Sequence, residues 1–356
     1  MTNVLIINTC GLGIGGITSH MINYSENLPK DIIISIVVTG VYEQSVIDVF
    51  TQRGFNIIFL PNRKTNPVKY IMKLKRILKQ KKYDVIHVHG NSATMTIELG
   101  LAKKYKIKTR IAHCHNSQCD HPKLNSLLSH YFKGLYTDAL ACSDLAGEWI
   151  FGTGNYKVLH NAIDLNKYAF SNEVRNEYRK ELNIDEDAIV IGHIGNMNEQ
   201  KNQKFLIKVF SELLKSKKAV LLLIGTGNLK NELIELAAKL KISNKIRFLG
   251  LRDDVSNLMC AMDIFVFPSR WEGLGMVAIE AQANGLPVLV STAVPQEVCL
   301  SDKIRYLSLD EPTETWCADI CELLSKSKSR IIEREKFKNY DINSEKKYLL
   351  EIYNKG

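Results

Sequence analysis

Long apolar runs are missing from this sequence. No stretch approaches the ~18 to 20 uncharged residues needed to span a bilayer, and the amino terminus has neither the basic start nor the small-residue cleavage site of a secretory leader. The expectation is a cytoplasmic chain. Proline is scarce, with 8 residues in 356, and hydrophobic residues at 45% with charged residues at 24% exclude a disordered or fibrous chain. The eight cysteines (10, 114, 119, 142, 260, 299, 317 and 321) include no C-x-x-C pair, which argues against zinc knuckles and dithiol redox motifs and leaves reduced thiols as the default. His113-Cys114-His115-x3-Cys119-x-His121 gathers metal-binding residue types, but its spacing matches no standard zinc module, so a mixture of core and cleft residues is preferred. A repeat of 20 to 50 residues is also absent, which excludes solenoids and propellers.

What is present is enough chain for two domains, at ~100 to 200 residues each. Charge is unevenly shared. Residues 1–165 hold 19 Lys/Arg against 11 Asp/Glu, and residues 166–356 hold 28 against 27, so nearly all of the net +9 lies in the first half. It is concentrated in 63–82 and 103–110. In the first stretch Tyr70, Ile71, Leu74, Ile77 and Leu78 recur at helical spacing, with Lys69, Lys73, Lys75, Arg76, Lys79, Lys81 and Lys82 between them. A basic amphipathic helix follows, read either as a solvated face or as a surface for anionic headgroups or a phosphate-bearing acceptor. Aromatics do not interleave with the basic residues, which argues against nucleic acid.

Short β-branched runs alternate with helical patterns. Strands are expected at 4–8, 32–38, 56–60, 85–88 and 110–114, and, after a charged segment, at 189–194, 220–224, 245–249, 264–267 and 287–290. Consecutive apolar residues in these runs fit parallel strands buried on both faces. The fold class is α/β, with two Rossmann-like, doubly wound parallel-sheet domains in tandem. Their ligands would sit outside the carboxyl ends of the strands, in a cleft between facing domains. The Ser325–Arg330 stretch reads as a solvated loop, and 344–353 as a helix with Tyr348, Leu349, Ile352 and Tyr353 on one stripe.

After the first strand, Gly11-Leu12-Gly13-Ile14-Gly15-Gly16 satisfies G-x-G-x-x-G before a helix. A nicotinamide cofactor would want an acidic residue at the end of the second strand, where the chain reads Val37-Val38-Thr39-Gly40. What survives is a backbone open to an anion at a helix start, or a purely structural turn. The strongest constellation is Arg270-Trp271-Glu272-Gly273-Leu274-Gly275, running into a helix that carries Glu280. Glycines at the helix start suit a diphosphate; Glu280 can accept from a pair of ribose hydroxyls and Glu272 from a hexose. The bland alternative is a pair of solvated helix-end acids.

With Glu272-x7-Glu280 matching the E-x7-E motif, the sequence resembles the retaining nucleotide-sugar glycosyltransferases of family 4, which have the GT-B fold. Gly15-Gly16, Asp84 to Gly90, His160-Asn161-Ala162-Ile163-Asp164, Leu223-Ile224-Gly225-x-Gly227 and Arg247-Phe248-Leu249-Gly250 extend the likeness over essentially the whole chain. The wording around Ala112 to Asn116 and Gly192 to Gly195 is most similar to the capsular and exopolysaccharide branch.

The resemblance implies an acceptor-binding domain at 1–163, onto which a helix at 340–356 packs back, and a donor-binding domain at 164–339. It implies His115 as the active-site histidine, with His113 as rival, and Lys201 as the phosphate-binding lysine. Glu272, His115 and Lys201 would form the catalytic set. Gly15, Gly16, Asn196, Lys201, Arg270, Gly273, Leu274, Gly275 and Glu280 would bind the donor. Asn196 departs from the family pattern, which has an arginine there, so Arg270 or Arg252 would have to supply the charge. The expected donor is a UDP-sugar, the acceptor a saccharide or lipid-linked saccharide at the inner membrane face, and no metal or cofactor is required. A non-catalytic, donor-binding partner of another transferase is the alternative, and a nucleotide-sugar epimerase a more distant one.

Overall fold

The computed structural model describes residues 1–356 except Ile14, Asp120, Lys328 and Gly356. The glycine loop and the expected Ser325–Arg330 loop therefore lie partly outside the described residues. The chain divides into two compact units, Met1–Ile163 with Asn339–Gly356, and Asp164–Lys338.

In the first unit the strands are β1 (Thr2–Asn8), β2 (Ile32–Val38), β3 (Asn56–Phe59), β4 (Val85–Gly90), β5 (Thr109–Cys114), β6 (Asp138–Ala141) and β7 (Lys157–Val158). They form one parallel sheet in the order β3-β2-β1-β4-β5-β6-β7. β1 and β4 contribute runs buried on both faces, because helices cover both sides. One face packs Leu5, Ile7, Val88 and Ala112 against Tyr70, Leu74 and Phe132. The other packs Val4, Ile6, Val85 and Ile111 against Met21, Leu349, Ile352 and Tyr353, the last three from the carboxy-terminal helix Ile342–Tyr353.

The second unit repeats the plan with β8 (Ile189–Ile194), β9 (Ala219–Ile224), β10 (Ile246–Gly250), β11 (Ile264–Phe267), β12 (Val288–Ser291) and β13 (Ile304–Leu307). Their order is β10-β9-β8-β11-β12-β13, again all parallel. In both sheets the strand order reverses beside the first strand, between β1 and β4 and between β8 and β11. Loops leaving two adjacent strands there diverge to opposite sides, which opens a crevice at the carboxyl edge.

Three expectations need correction. The strands β6, β7 and β13 escape a reading by apolar runs: Asp138-Ala-Leu-Ala and Lys157-Val are short and weakly β-forming, and Ile304-Arg-Tyr-Leu is only half-buried. Ser325 and Lys326 belong to the helix Thr313–Lys326, not to a loop. Two cations counted in the basic stretches are tied into the fold. Arg63 lies against buried Glu98 at 2.7 Å and donates to the Thr94 carbonyl at 2.6 Å, and Arg110 donates to the carbonyls of Leu135 and Ile107, each at 2.6 Å. The amphipathic helix itself runs Pro67–Gln80, with Tyr70, Leu74 and Leu78 buried and its lysines outward.

Candidate active site

In the second unit the chemistry gathers on two loops at the strand-order reversal. The loop after β8 carries Asn196 to Asn202, and the loop after β11 carries Pro268 to Gly275. The Arg270 amide donates to the Gln200 carbonyl at 2.7 Å, and the Gln200 side chain donates to the Trp271 carbonyl at 2.9 Å, so the two loops are laced together. Across this seam the Lys201 ammonium meets the Glu272 carboxylate at 2.6 Å, with the two side chains only 17% and 6% exposed. Lys201 also lies over the Phe267 ring, 4.6 Å from its centroid. A pair so sheltered from water holds its geometry far better than a surface pair.

The glycines after β9 explain how these loops come so close. A Cβ on Gly225 would collide with the Gly195 carbonyl, and one on Gly227 with the backbone of Met197, so only glycine lets the β9 loop lie against the β8 loop. The Met197 amide then bonds to the Thr226 carbonyl at 2.8 Å. Gly275, with φ +90°, turns the chain into the helix Met276–Ala283. No side chain caps that helix start, while a Cβ on Gly273 would meet open space. The first amides of the helix are thus oriented for an anion.

Glu280 lies in the second turn of that helix. Desolvation pushes its carboxyl up to about 7, against a hydrogen bond from Tyr168 and the charge of Lys167, which both pull it down. The two acids of the E-x7-E element therefore stand in different surroundings: Glu272 paired with a cation, Glu280 partly buried beside a phenol. Tyr168 and Gln200, which orient the two acids, carried no assignment from the sequence. Nothing about a tyrosine in a charged segment flags it. Of the cations considered in place of an arginine at 196, Arg252 is held by Asp254 through contacts of 2.7 and 2.5 Å and is committed there. Arg270 is exposed, as is Asn196.

In the first unit Gly11 and the glycines after it behave differently. A Cβ on Gly11, at φ +95°, would collide with the Val41 carbonyl, which marks a structural turn, whereas Gly13, Gly15 and Gly16 have open space where a side chain would stand. His115 follows β5 and is half-buried, its Nε2 2.8 Å from Nδ1 of His89. His113, its rival, is fully buried and bonds His87 at 3.1 Å. Burial, and then the charges of His20 and His87, hold His115 well below its ordinary value, so it is a neutral imidazole at physiological pH. Cys114 faces away from these rings into the opposite core, its thiol on the Asn116 carbonyl, so the drawn His-Cys-His cluster is split by the strand's alternation.

The His160-Asn161-Ala162-Ile163 segment acts as a fastener. His160 contacts Glu345, Asn161 Oδ1 holds His20 Nδ1 at 3.0 Å, the Ala162 carbonyl accepts from Asn23 at 2.9 Å, and Ile163 bonds the chain at Tyr340 and Ile342.

The family description "Glycosyltransferase Family 4" matches residues 14–167, and "Glycosyl transferases group 1" matches residues 174–343. EpsF of Bacillus subtilis (strain 168) is 28% identical over 331 residues, spanning 88% of this chain and 85% of EpsF. The capsular polysaccharide biosynthesis glycosyltransferase CapH of Staphylococcus aureus is 25% identical, spanning 86% of each chain. Among solved structures, Anabaena HepE in complex with UDP superposes with a TM-score of 0.76 over 100% of both chains at 18% identity. That likeness is one of fold, and the fold is GT-B.

Proposed function

The chain belongs to the family 4 glycosyltransferases, of the kind that build polysaccharide, and from that premise we propose that it moves a hexose or N-acetylhexosamine from a UDP-sugar, with retention, to a saccharide or lipid-linked saccharide acceptor. The observation that carries this reading is the sheltered Lys201–Glu272 pair beside the uncapped start of the helix Met276–Ala283. A diphosphate and a sugar need a cation, oriented amides and a carboxylate together in one place, and this crevice supplies all three. HepE has been crystallised with UDP and with UDP-glucose, and an Escherichia coli relative, 26% identical over 63% of this chain, is named as a UDP-Gal-using galactosyltransferase acting on a diphosphoundecaprenol-linked sugar.

In this reaction Lys201 and the amides from Gly273 through Leu274 to Gly275 stabilise the departing diphosphate. Arg270 supplies the cation that Asn196 does not. Glu272 orients the sugar, and Glu280 accepts from the ribose hydroxyls. The acceptor hydroxyl attacks the anomeric carbon on the face from which the phosphate leaves. The new C–O bond forms as the sugar–phosphate bond breaks, and the hydroxyl proton passes to the departing phosphate oxygen. Positioning and charge stabilisation do the work, and neither a protein base nor a metal is needed for the transfer.

Calorimetry tests the assignment. Glu280→Ala should weaken free UDP and intact donor alike, by ~10- to 150-fold for hydrogen bonds to an ionised acceptor. Glu272→Ala releases Lys201 and should leave UDP binding unchanged or tighter while impairing sugar transfer. Equal losses of UDP binding in both variants contradict the roles. Exposed Asn196 also favours a second reading, a donor-binding chain without turnover. That reading requires a purified chain that binds UDP yet transfers from no donor with its natural acceptor present.

A further inference from the structure

Five histidines converge in the first unit: His20 from the helix Gly16–Ser25, His87 and His89 from β4, and His113 and His115 from the end of β5. Adjacent parallel strands in register, with His89 opposite His113, put both His-x-His pairs on one face of the sheet. His20, His87, His89 and His113 are all 2% exposed or less. Ring nitrogens of His20, His89 and His113 all lie within 4.8 Å of one another. Nε2 of His20 and Nε2 of His113 are buried and have no hydrogen-bond partner among the described residues. Burying such nitrogens without partners is costly, and a native core rarely keeps two side by side without a use for them.

We propose that this unit binds one first-row transition-metal ion, with Zn2+ the prime candidate, on His20, His89 and His113. The hydrogen bonds around the rings fit that role. Nδ1 of His20 lies 3.0 Å from Asn161 Oδ1, which can only accept at that atom; the proton is thereby placed on Nδ1 and the lone pair left on Nε2. Nδ1 of His89 lies 2.8 Å from His115, and Nδ1 of His113 lies 3.1 Å from His87, which in turn meets the Tyr353 hydroxyl at 2.8 Å. With each Nδ1–H donating in these bonds, the Nε2 lone pair of each ring is left for an ion, and those of His20 and His113 are buried and unpartnered. An outer ring of hydrogen bonds of this kind fixes the tautomer of metal-bound imidazoles.

The donor set defines the ion. Three neutral imidazoles without a carboxylate suit Zn2+, Co2+, Ni2+ or Cu2+ and not Mg2+ or Ca2+. Zinc–nitrogen bonds of about 2.0–2.1 Å in a tetrahedron set the nitrogens about 3.3 Å apart, so ligation draws the rings inward. The ion would tie the helix Gly16–Ser25 to β4 and β5. Through His89 it would also stiffen the hydrogen bond that positions His115.

The test uses the full-length chain, stripped with a chelator, dialysed and titrated with Co2+. One equivalent should bind with the visible absorption of a four- or five-coordinate nitrogen site, Zn2+ should displace it, and the melting temperature should rise with free Zn2+. His20→Gln and His113→Gln should each abolish the spectrum, and His121→Gln with His130→Gln, both exposed, should leave it intact. Should the ligand variants fail to fold, the wild-type spectrum and stoichiometry still decide. A six-coordinate aqueous Co2+ spectrum in wild type, more than one equivalent bound, or binding that survives His20→Gln overturns the proposal.

Discussion

Acid should unfold the two units unequally, and the histidine cluster sets how far. Burial holds His20 and His87 at about 3, and drives His89, His113 and His115 well below the ordinary value of 6.5. An imidazole lowered in the native state takes up its proton on unfolding, so its stabilisation is complete above pH 6.5 and drains away as pH falls towards the native value. By pH 5 each such group has cost about 2 kcal/mol, from ~1.36 kcal/mol per pH unit. His20 and His87 alone then remove about 4 kcal/mol from the first unit, and the other three rings act in the same direction.

The second unit has one such ring, His193, lowered to about 4 by burial, against hydrogen bonding to the Val266 carbonyl, which raises it. Its loss by pH 5, about 2 kcal/mol, is offset by Glu280. A carboxyl raised to about 7 binds its proton in the native state first, so stability rises as pH falls from 7 towards 4.5, by about 2 kcal/mol at most given its partial exposure. Urea titrations of the chelator-treated chain at pH 7.5 and 5, with Trp271→Phe and Trp316→Phe leaving Trp149 as reporter, follow the first unit. Its midpoint should fall by ~2 M or more, at ~1 to 3 kcal/mol per molar urea. The complementary Trp149→Phe chain should move far less. Equal shifts in the two reporters would refute the view that these rings are held neutral by burial.

Three further outcomes follow from single contacts. Lys201→Ala strands the Glu272 carboxylate and should destabilise the second unit by ~3 to 5 kcal/mol, while Lys201→Met with Glu272→Gln should cost much less, both read by urea unfolding. Tyr168→Phe removes the hydrogen bond that favours ionised Glu280, so the pH below which UDP binding weakens should move upwards in calorimetry; an unchanged profile would detach Tyr168 from Glu280. Vesicles of anionic lipid should sediment the chain at low salt and release it by ~0.5 M, through Lys69, Lys73, Lys75, Arg76 and Lys79 on the helix Pro67–Gln80 with Val68 and Met72 exposed beside them; binding indifferent to lipid charge would leave that helix a solvated face.

How much of this could be read from the sequence depended on whether a signal was local. β2, β8 and β11 are mostly apolar, broken only by Ser35 in β2 and by Gly192 and His193 in β8, and their expected limits match the observed ones because nearly every residue of each run is buried. β7 and β13 escape that reading, since an edge strand of two or four residues, none of them fully buried, has nothing to repeat. Glu272, Lys201 and Glu280 stood out by type and spacing. Their partners did not, because Tyr168 reaches Glu280 across more than a hundred residues and Gln200 acts through a seam between two loops.

The histidines fall between these cases. His87-x-His89 and His113-x-His115 were both visible, and alternation along a strand puts each pair on one face, so two such pairs were already half of a cluster. What the sequence withheld was that β4 and β5 are neighbours with His89 opposite His113, and that His20 comes down on them from the first helix. Those are facts of strand order and helix placement. The parallel sheet supplies them only once its order is fixed, and it is at the reversal of that order, beside β1 and β4, that five imidazoles from three separate stretches of chain meet.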